Sequence, residues 1–282
     1  SSRQGQNRAE KNRETEKENH TKYPQKEVNE MKRIAVVTGA SSGMGREFVM
    51  QLNTFCPDLE EIWVLARRRK RLEQLAVKCP VPLRIFEGDI TKKKIRHSLK
   101  TALQNERPAI RVLINAAGFG KTGTVEEIAA EEENAQTDMI NVNCRALTGI
   151  TEICLPFLHR GSRIINLASA AAFCPQPSFA VYAATKAYVL SFSRALNREL
   201  RKRGIFVTAV CPGPVNTEFF RISGGPSSPL KKRFAKDASA VVKKALKDSL
   251  AKKELSVYGA AIKAARLGAK ILPHRLIIRL FA

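Results

Sequence analysis

Tyr182 and Lys186 are side chains suited to acid–base chemistry, and they lie four residues apart in the sequence. On a helix such residues share one face about a turn apart. A tyrosine side chain has a pKa of about 10 and is a poor base at neutral pH, but a neighbouring ammonium group stabilises its phenolate and lowers that pKa. The spacing therefore favours proton transfer at Tyr182. The alternative is an interfacial tyrosine beside a solvated lysine on an amphipathic helix.

A glycine-rich segment lies near the start of the apolar part of the chain. It reads Thr38-Gly39-Ala40-Ser41-Ser42-Gly43-Met44-Gly45, and it follows a β-branched run at 34–37 and precedes a helical pattern that extends to about residue 52. Glycines in a strand-to-helix turn allow close approach of a pyrophosphate, whose charge the helix N-terminus favours. The segment predicts a phosphate-binding loop, with a purely structural turn as the alternative.

Predicted strands and helices alternate along the chain from residue 31, and these elements must position the residues named above. Predicted strands cover 34–37, 62–65, 83–86, 110–114, 163–167, 205–210 and 255–258, and predicted helices cover 70–77, 92–105, 131–158, 179–203 and 237–253. Near-continuous apolar strands that alternate with helices indicate a parallel sheet covered on both faces. We therefore expect an α/β fold with a single Rossmann-like, doubly wound parallel sheet. The sheet should have about seven strands, with helices on both of its faces.

Six motifs occur in the order and at the spacing of one protein family. They are TGxxxGxG at residues 38–45, Asn115-Ala116-Ala117-Gly118, Asn143, Ser169, Tyr182-Ala-Ala-Thr-Lys186, and Pro212-Gly213-Pro214-Val215-Asn216-Thr217. Together they resemble the short-chain dehydrogenase/reductase family over about residues 32–260. The pattern YxxxK alone arises by chance in many proteins, whereas the six motifs together are highly specific.

The resemblance implies four catalytic residues, Asn143, Ser169, Tyr182 and Lys186. In the family picture Tyr182 exchanges a proton with the substrate oxygen, while Lys186 lowers its pKa and holds the nicotinamide ribose. The Ser169 hydroxyl polarises the substrate carbonyl, and Asn143 helps to hold a water-linked proton path to Lys186. The hydride transfer itself belongs to the nicotinamide. The structural alternative for Ser169 is a residue that only shapes a turn. The alternative for Asn143 is a helix residue whose amide is hydrogen-bonded by the backbone.

The resemblance also implies an NADP(H) site. The residues expected to bind the cofactor are Gly39, Ser41, Ser42, Gly43, Met44, Gly45, Arg67, Arg68, Asp89, Ile90, Asn115, Ala116, Gly118, Tyr182, Lys186, Pro212, Val215 and Thr217. Ala66 ends the second strand without a carboxylate for a ribose 2′-hydroxyl, whereas Arg67 or Arg68 offers a guanidinium suited to a 2′-phosphate. We therefore predict a preference for NADP(H). The alternative is that these arginines only form the solvated, basic start of a helix.

The loops that carry the substrate wall in this family are markedly apolar here. Besides Ser169, we expect contacts with substrate from Phe119, Ala171, Phe173, Cys174, Phe179, Phe219 and Phe220. Such a pocket suits a lipophilic ketone or secondary alcohol. Hydroxysteroid oxidoreduction is the first expectation, and 3-oxoacyl (fatty-acyl) ketone reduction is the second. A non-catalytic NADP-binding or membrane-surface protein that keeps the fold is the remaining alternative.

The chain of 282 residues carries a formal charge of +23. Residues 67–100 and 221–282 are the most basic stretches, but aromatic residues make up only 6% of the chain and no zinc-finger spacing occurs, so we expect no nucleic-acid partner. Residues 271–282 are basic and amphipathic. We expect a helix docked on its own core or on a partner subunit, with peripheral membrane contact as the alternative.

The sequence also allows expectations about the terminal segments, the cysteines, the location of the protein and its oligomeric state. Residues 1–30 are charged and nearly free of apolar side chains, which predicts a disordered tail, with an origin outside the native chain as the alternative; residues 31–282 form the oxidoreductase domain, with a C-terminal extension from about 212. Six cysteines without CxxC pairing and four scattered histidines indicate reduced thiols and no metal site. We expect a cytoplasmic protein without a signal or spanning helix. The family resemblance implies a homodimer or homotetramer.

Overall fold

A computed structural model describes residues 30–219, 223 and 236–279 of the chain. Residues 1–29, which hold nearly all of the expected tail, lie outside the described residues, as do Phe220 and residues 280–282.

Seven parallel strands form one sheet among the described residues. They are Arg33–Thr38 (β1), Glu61–Ala66 (β2), Leu83–Glu87 (β3), Ala109–Asn115 (β4), Leu158–Leu167 (β5), Phe206–Val210 (β6) and Leu255–Ser256 (β7). Their order across the sheet is β3-β2-β1-β4-β5-β6-β7, and every pairing is parallel. The predicted fold class is confirmed.

Helices cover both faces of this sheet. They are Gly43–Phe55 (α1), Arg69–Lys78 (α2), Lys93–Glu106 (α3), Val125–Glu131 (α4), Ala135–Ile140 (α5), Leu147–Cys154 (α6), Ala180–Leu200 (α7), Ala238–Leu250 (α8), Ala260–Ile271 (α9) and His274–Arg279 (α10). Alternate side chains of one strand enter opposite cores, because successive residues of a strand point to opposite faces. In β1, Ile34 and Val36 pack with α3, α6 and α7, whereas Ala35 and Val37 pack with α1, α2 and α8.

The segment 131–158 differs from the single long helix that we predicted. α4 ends at Glu131, and Asn134 then takes a left-handed conformation (φ 67°) before α5 begins. Between α5 and α6 the chain widens into a π-helical turn, Asn141–Ala146. A π turn inserts one residue into the helical repeat and is frequent at functional sites. Here the turn carries Asn143.

The direction in which the strands are added to the sheet reverses between β1 and β4. β1 is followed on its other side by β2 and β3, and β4 is followed on its other side by β5, β6 and β7. At such a switch point the loops leave in opposite directions and open a crevice at the carboxyl ends of the strands. Thr38 ties the two strand ends together, because its Oγ1 accepts hydrogen bonds from the backbone N–H groups of Ala116 (3.1 Å) and Ala117 (3.2 Å).

The C-terminal helices lie against the body of the protein along part of their surface. Ile277 of α10 is buried, but Leu267, Ile271 and Leu276 are exposed. Ile262 and Ala265 of α9 face the crevice. Contact of this segment with a subunit or a membrane surface therefore stays a prediction. Among the described residues, none of the helices combines the length and the apolar character that crossing a membrane requires.

Candidate active site

A cleft of about 870 Å³ lies at the carboxyl ends of the strands. Most of the residues predicted to bind cofactor line it. They are Gly39, Ser41, Ser42, Gly43, Met44, Gly45, Arg67, Arg68, Asp89, Ile90, Ala116, Gly118, Tyr182, Lys186, Pro212, Val215 and Thr217. Among the residues predicted to contact substrate, Phe119, Ser169, Ala171, Phe173, Cys174, Phe179 and Phe219 also line it. Asn115 and Asn143 do not, and Phe220 lies outside the described residues.

Tyr182 and Ser169 meet in this cleft from different elements. Tyr182 lies in the first turn of α7, and Ser169 follows β5, where its Oγ accepts a hydrogen bond from the backbone N–H of Ala171 at 3.1 Å. The Ser169 hydroxyl lies close enough to the phenol to lower the pKa of Tyr182. The Tyr182 ring is held by Phe179 (centroids 4.3 Å apart) and Phe219 (5.4 Å). A phenol and a hydroxyl therefore converge on one point in an apolar cleft.

Lys186 lies one turn further along α7, on the same face. Its ammonium nitrogen is 5.6 Å from the centre of the Tyr182 ring and donates to the backbone carbonyl of Leu167 at 2.8 Å. Only 4% of Lys186 is exposed. The predicted i, i+4 arrangement is therefore formed, and the bond to Leu167 anchors the ammonium beside the phenol.

The pKa of Tyr182 moves in the direction opposite to our expectation. Burial raises it to about 12, and the neighbouring Ser169 hydroxyl opposes that rise. Burial also lowers the pKa of Lys186 to about 8. A charged group loses solvation energy when it is buried, and this loss is the largest cause of both shifts. In the protein alone Tyr182 is thus a protonated phenol, and so a proton donor, at neutral pH.

Asn143 clamps the loop after β4 against α7. Its Oδ1 accepts from the Phe119 backbone N–H (3.1 Å), and its Nδ2 donates to the Phe119 carbonyl (2.9 Å) and to Thr185 Oγ1 (3.0 Å). The residue is almost fully buried and does not line the cleft. A Cβ placed on Gly118 would lie 2.8 Å from Asn143 Oδ1 and 3.3 Å from Lys186 Nζ, so the amide lies near the ammonium. Its observed role is positional.

Asn115 was predicted to bind cofactor, but its side chain turns away from the cleft. Its Nδ2 donates to Thr151 Oγ1 (3.0 Å) and to Asn166 Oδ1 (2.9 Å), inside the layer between β4, β5 and α6. The side chain is buried, and a buried amide is stable only when it is hydrogen-bonded. The Asn115 amide nitrogen therefore supports the strand end, its Oδ1 has no hydrogen-bond partner among the described residues, and a cofactor contact of this residue stays a prediction.

The glycine loop has the shape that a dinucleotide requires. Gly39 has a φ of 69°, and a Cβ there would lie 2.7 Å from the Ala117 backbone; a Cβ on Gly45 would lie 2.3 Å from the Gly39 carbonyl oxygen. α1 begins at Gly43, its N-cap Ser42 makes no side-chain cap, and its first turn holds no acidic residue. The first N–H groups of the helix therefore have no side-chain acceptor there and suit an anionic phosphate.

A cluster of arginines beside this loop includes residues that sequence reasoning missed. Arg68 donates to Ser41 Oγ (3.1 Å), to Ser42 Oγ (2.6 Å) and to Glu218 (2.9 Å). Arg71, which sequence reasoning did not single out, donates to the other oxygen of Glu218 at 2.6 Å. The two guanidinium groups lower the pKa of Glu218 to about 2. Arg71 and Glu218 are 147 residues apart, so the sequence carries no local signal of their pairing.

Arg67 and Asp89 lie at the ends of β2 and β3. Arg67 is exposed and lines the cleft, as predicted. The Asp89 carboxylate accepts hydrogen bonds from the backbone N–H and the hydroxyl of Thr91, both at 2.8 Å, so it shapes the turn that leads into α3. Both residues border the same part of the cleft as Ser41 and Arg68.

The cleft thus pairs a phosphate-binding loop at a sheet switch point with a protonated phenol, a hydroxyl and a buried ammonium. That combination is typical of the dinucleotide-binding α/β oxidoreductases. Within that class the chain belongs to the short-chain dehydrogenase/reductase family, because residues 33–224 match the sequence profile described as short chain dehydrogenase.

Similar proteins agree with this assignment. The chain is 32% identical over 187 residues to an uncharacterized oxidoreductase of Staphylococcus epidermidis, which spans 66% of this chain and 79% of that protein. It is 29% identical over 216 residues to the very-long-chain 3-oxoacyl-CoA reductase of Macaca fascicularis, covering 74% of this chain and 68% of that protein. A short-chain dehydrogenase from Sphingobium yanoikuyae, solved in complex with NADPH, is 26% identical with a TM-score of 0.71 and covers 84% of this chain and 93% of that chain.

Proposed function

We propose that the protein is an NADP(H)-dependent oxidoreductase that interconverts a ketone and a secondary alcohol on a lipophilic substrate. The observation that carries this proposal is the convergence of Tyr182, Ser169 and Lys186 in one cleft, with the buried Lys186 one helical turn from Tyr182. A binding protein has no chemical need for this arrangement of three groups.

The residues divide the acid–base work among them. A bound nicotinamide supplies or accepts the hydride. During reduction, the Tyr182 hydroxyl donates its proton to the substrate oxygen, and the Ser169 hydroxyl donates a hydrogen bond to the same oxygen as negative charge develops on it. Lys186, held by the Leu167 carbonyl, stabilises the phenolate that remains.

The arginines beside the glycine loop support the choice of NADP(H). Arg67 and Arg68 line the cleft beside the glycine loop, and Arg71 lines the smaller cavity that shares Ser41, Ser42 and Gly43 with the cleft. β2 ends in Ala66 without a carboxylate. Guanidinium groups bind phosphate through paired N–H donors. The similar Sphingobium protein was solved with NADPH, whereas a fold neighbour from Burkholderia phymatum holds NAD.

The aromatic wall supports a lipophilic substrate. Phe119, Phe173, Phe179 and Phe219 line a cleft that is large enough for a cofactor and a bulky substrate together. The sequence pattern favours a hydroxysteroid. The likeness to a very-long-chain 3-oxoacyl-CoA reductase favours a 3-oxoacyl thioester as the second candidate. Both candidates place a carbonyl beside an extended apolar body.

Consumption of reduced cofactor tests this function directly. Purified protein is mixed with NADPH or NADH and a panel of keto-steroids and 3-oxoacyl thioesters, and the loss of absorbance of the reduced nicotinamide is followed. We expect turnover with a member of the panel and a higher kcat/KM with NADPH than with NADH. A higher kcat/KM with NADH would overturn the cofactor assignment. Binding of NADPH without turnover of either substrate class would favour the non-catalytic alternative.

A further inference from the structure

Glu218 forms part of the wall between the cleft and a smaller cavity beside it. The smaller cavity has a volume of about 300 Å³, and Ser41, Ser42, Gly43 and Glu218 line both spaces. Its remaining lining residues are Arg46, Arg71, Gln74, Leu75 and Lys78. Among the described residues that line this smaller cavity, the charged groups other than Glu218 are the cations Arg46, Arg71 and Lys78.

Two of the neighbouring cations hold the carboxylate directly. Glu218 Oε2 accepts from Arg68 Nη1 at 2.9 Å, and Glu218 Oε1 accepts from Arg71 Nη1 at 2.6 Å. Arg68 also donates to the hydroxyls of Ser41 and Ser42. The same guanidinium group thus links the phosphate-binding loop to a negatively charged side chain of the protein itself.

We propose that Glu218 is an internal competitor for the anionic group that the adenosine ribose of NADP(H) carries, and that it thereby sets the affinity for NADP(H) relative to NAD(H). This inference rests on the proposed function. A 2′-phosphate bound beside the loop would accept hydrogen bonds from the guanidinium groups of Arg68 and Arg71, each of which donates one Nη1–H to Glu218 in the structure. A 2′-hydroxyl carries no charge and does not compete for them.

The exposure of the cluster makes displacement feasible. Glu218 is 27% exposed at its side chain, and Arg68 and Arg71 are each 40% exposed. Ion pairs at this level of exposure are weak because water screens them. An incoming dianion can therefore replace the carboxylate, but its binding free energy is reduced by that of the ion pairs it breaks.

Nucleotide fragments test the competition without any turnover. Calorimetric titrations at low ionic strength compare adenosine 2′,5′-bisphosphate with adenosine 5′-monophosphate, using the native protein and the variant Glu218→Gln. We expect the variant to bind the bisphosphate about five- to tenfold more tightly, because two partly exposed ion pairs no longer oppose it. Its affinity for the monophosphate should change less than about twofold.

Glu73→Gln is the matched control. Glu73 pairs with Arg69 on the exposed side of α2 (2.8 Å), so the control removes an equal charge nearby without releasing Arg68 or Arg71. We expect its affinities to match those of the native protein, and circular dichroism melting verifies the fold of both variants. Weaker binding of the bisphosphate by Glu218→Gln, or equal gains for both nucleotides, would overturn this inference alone. Failure of the native protein to bind NADPH and both fragments would overturn the proposed function with it.

Discussion

At the scale of single residues, burial decides the chemistry of the site. Tyr182 and Lys186 are close enough to interact, and both are nearly inaccessible to water. Burial disfavours the charged form of each group, so the pKa of the phenol is raised to about 12 and that of the amine is lowered to about 8. The native protein thus holds a neutral phenol ready to donate a proton.

Replacement of Tyr182 by phenylalanine removes the proposed proton donor but keeps the ring that packs on Phe179 and Phe219. We expect kcat for ketone reduction to fall by about 10²–10⁴-fold, the range typical of lost general acid catalysis. Affinity for NADPH, measured by fluorescence titration, should change little. Tyr188→Phe, on the same helix but 42% exposed, serves as the control and should keep native turnover. Near-native kcat in Tyr182→Phe would remove Tyr182 from the mechanism.

Lys186→Met tests the cost of burying the ammonium. The folded-state pKa of about 8 lies below the unfolded value of 10.5, so the folded state binds the proton less tightly. The destabilisation is therefore complete below pH 8 and declines as the pH rises towards 10.5. We expect the variant to be more stable by about 1–3 kcal/mol at pH 7, part of the gain being offset by the lost bond to Leu167.

Urea unfolding at pH 7 and at pH 10 measures this difference. The stabilisation should shrink at pH 10, where the native lysine is largely neutral in the folded state. A variant less stable than the native protein at pH 7, or a difference independent of pH, would show that the buried lysine carries no such cost. The Lys186→Met variant should lose turnover whatever its stability.

At the scale of elements, the site depends on connections between segments that are distant in the sequence. The π turn at Asn141–Ala146 directs Asn143 towards the loop after β4 and towards α7. The capping box of α4, in which Thr124 and Glu127 bond each other's backbone N–H groups, fixes the start of the same region. The bonds of Asn143 hold the loop of Phe119 against α7, and Phe119 packs against the apolar cluster that contains Tyr182.

Asn143→Ala should therefore act on stability as well as on activity. The substitution leaves the Phe119 N–H, the Phe119 carbonyl and the Thr185 hydroxyl without their buried partner, at a cost of about 2–3 kcal/mol. We expect a lower midpoint of urea unfolding together with a reduced kcat. Asn53→Ala, at an exposed position of α1, is the control and should change the free energy of unfolding by less than about 0.5 kcal/mol. Loss of activity with unchanged stability would instead support a proton-relay role.

At the scale of the whole molecule, the two faces of the sheet form two apolar cores, and few large apolar side chains remain outside them. Two of the exposed ones lie in residues 131–158 and 179–203, the helical segments through which the family resemblance implies that subunits pair. Ile140 of α5 is 48% exposed, and Tyr188 of α7 is 42% exposed, where it stacks on Phe192 and is hydrogen-bonded to Thr148 of α6. An aromatic group on an accessible helix face suits a two-fold contact with a second copy.

Sedimentation velocity tests this assembly. We expect the native protein to sediment as a dimer or a tetramer, and Tyr188→Glu to shift it towards smaller species by burying a charge at the contact. Val77→Glu adds the same charge at an 88% exposed position of α2 and should leave the assembly unchanged. A native protein that sediments as a monomer would contradict the expectation, as would a Tyr188→Glu variant with native assembly.

The amino-acid sequence by itself determined the order of the strands along the chain, the glycine loop, and the spacing of Tyr182 and Lys186. These features are local, since they depend on hydrophobic period, turn residues and positions one helical turn apart. Only the tertiary structure decided the direction of both pKa shifts, the inward turn of Asn115, the clamp formed by Asn143, and the pairing of Glu218 with Arg71. Solvation loss and ion pairing depend on which groups approach from distant parts of the chain, and spacing along one segment carries no information about them.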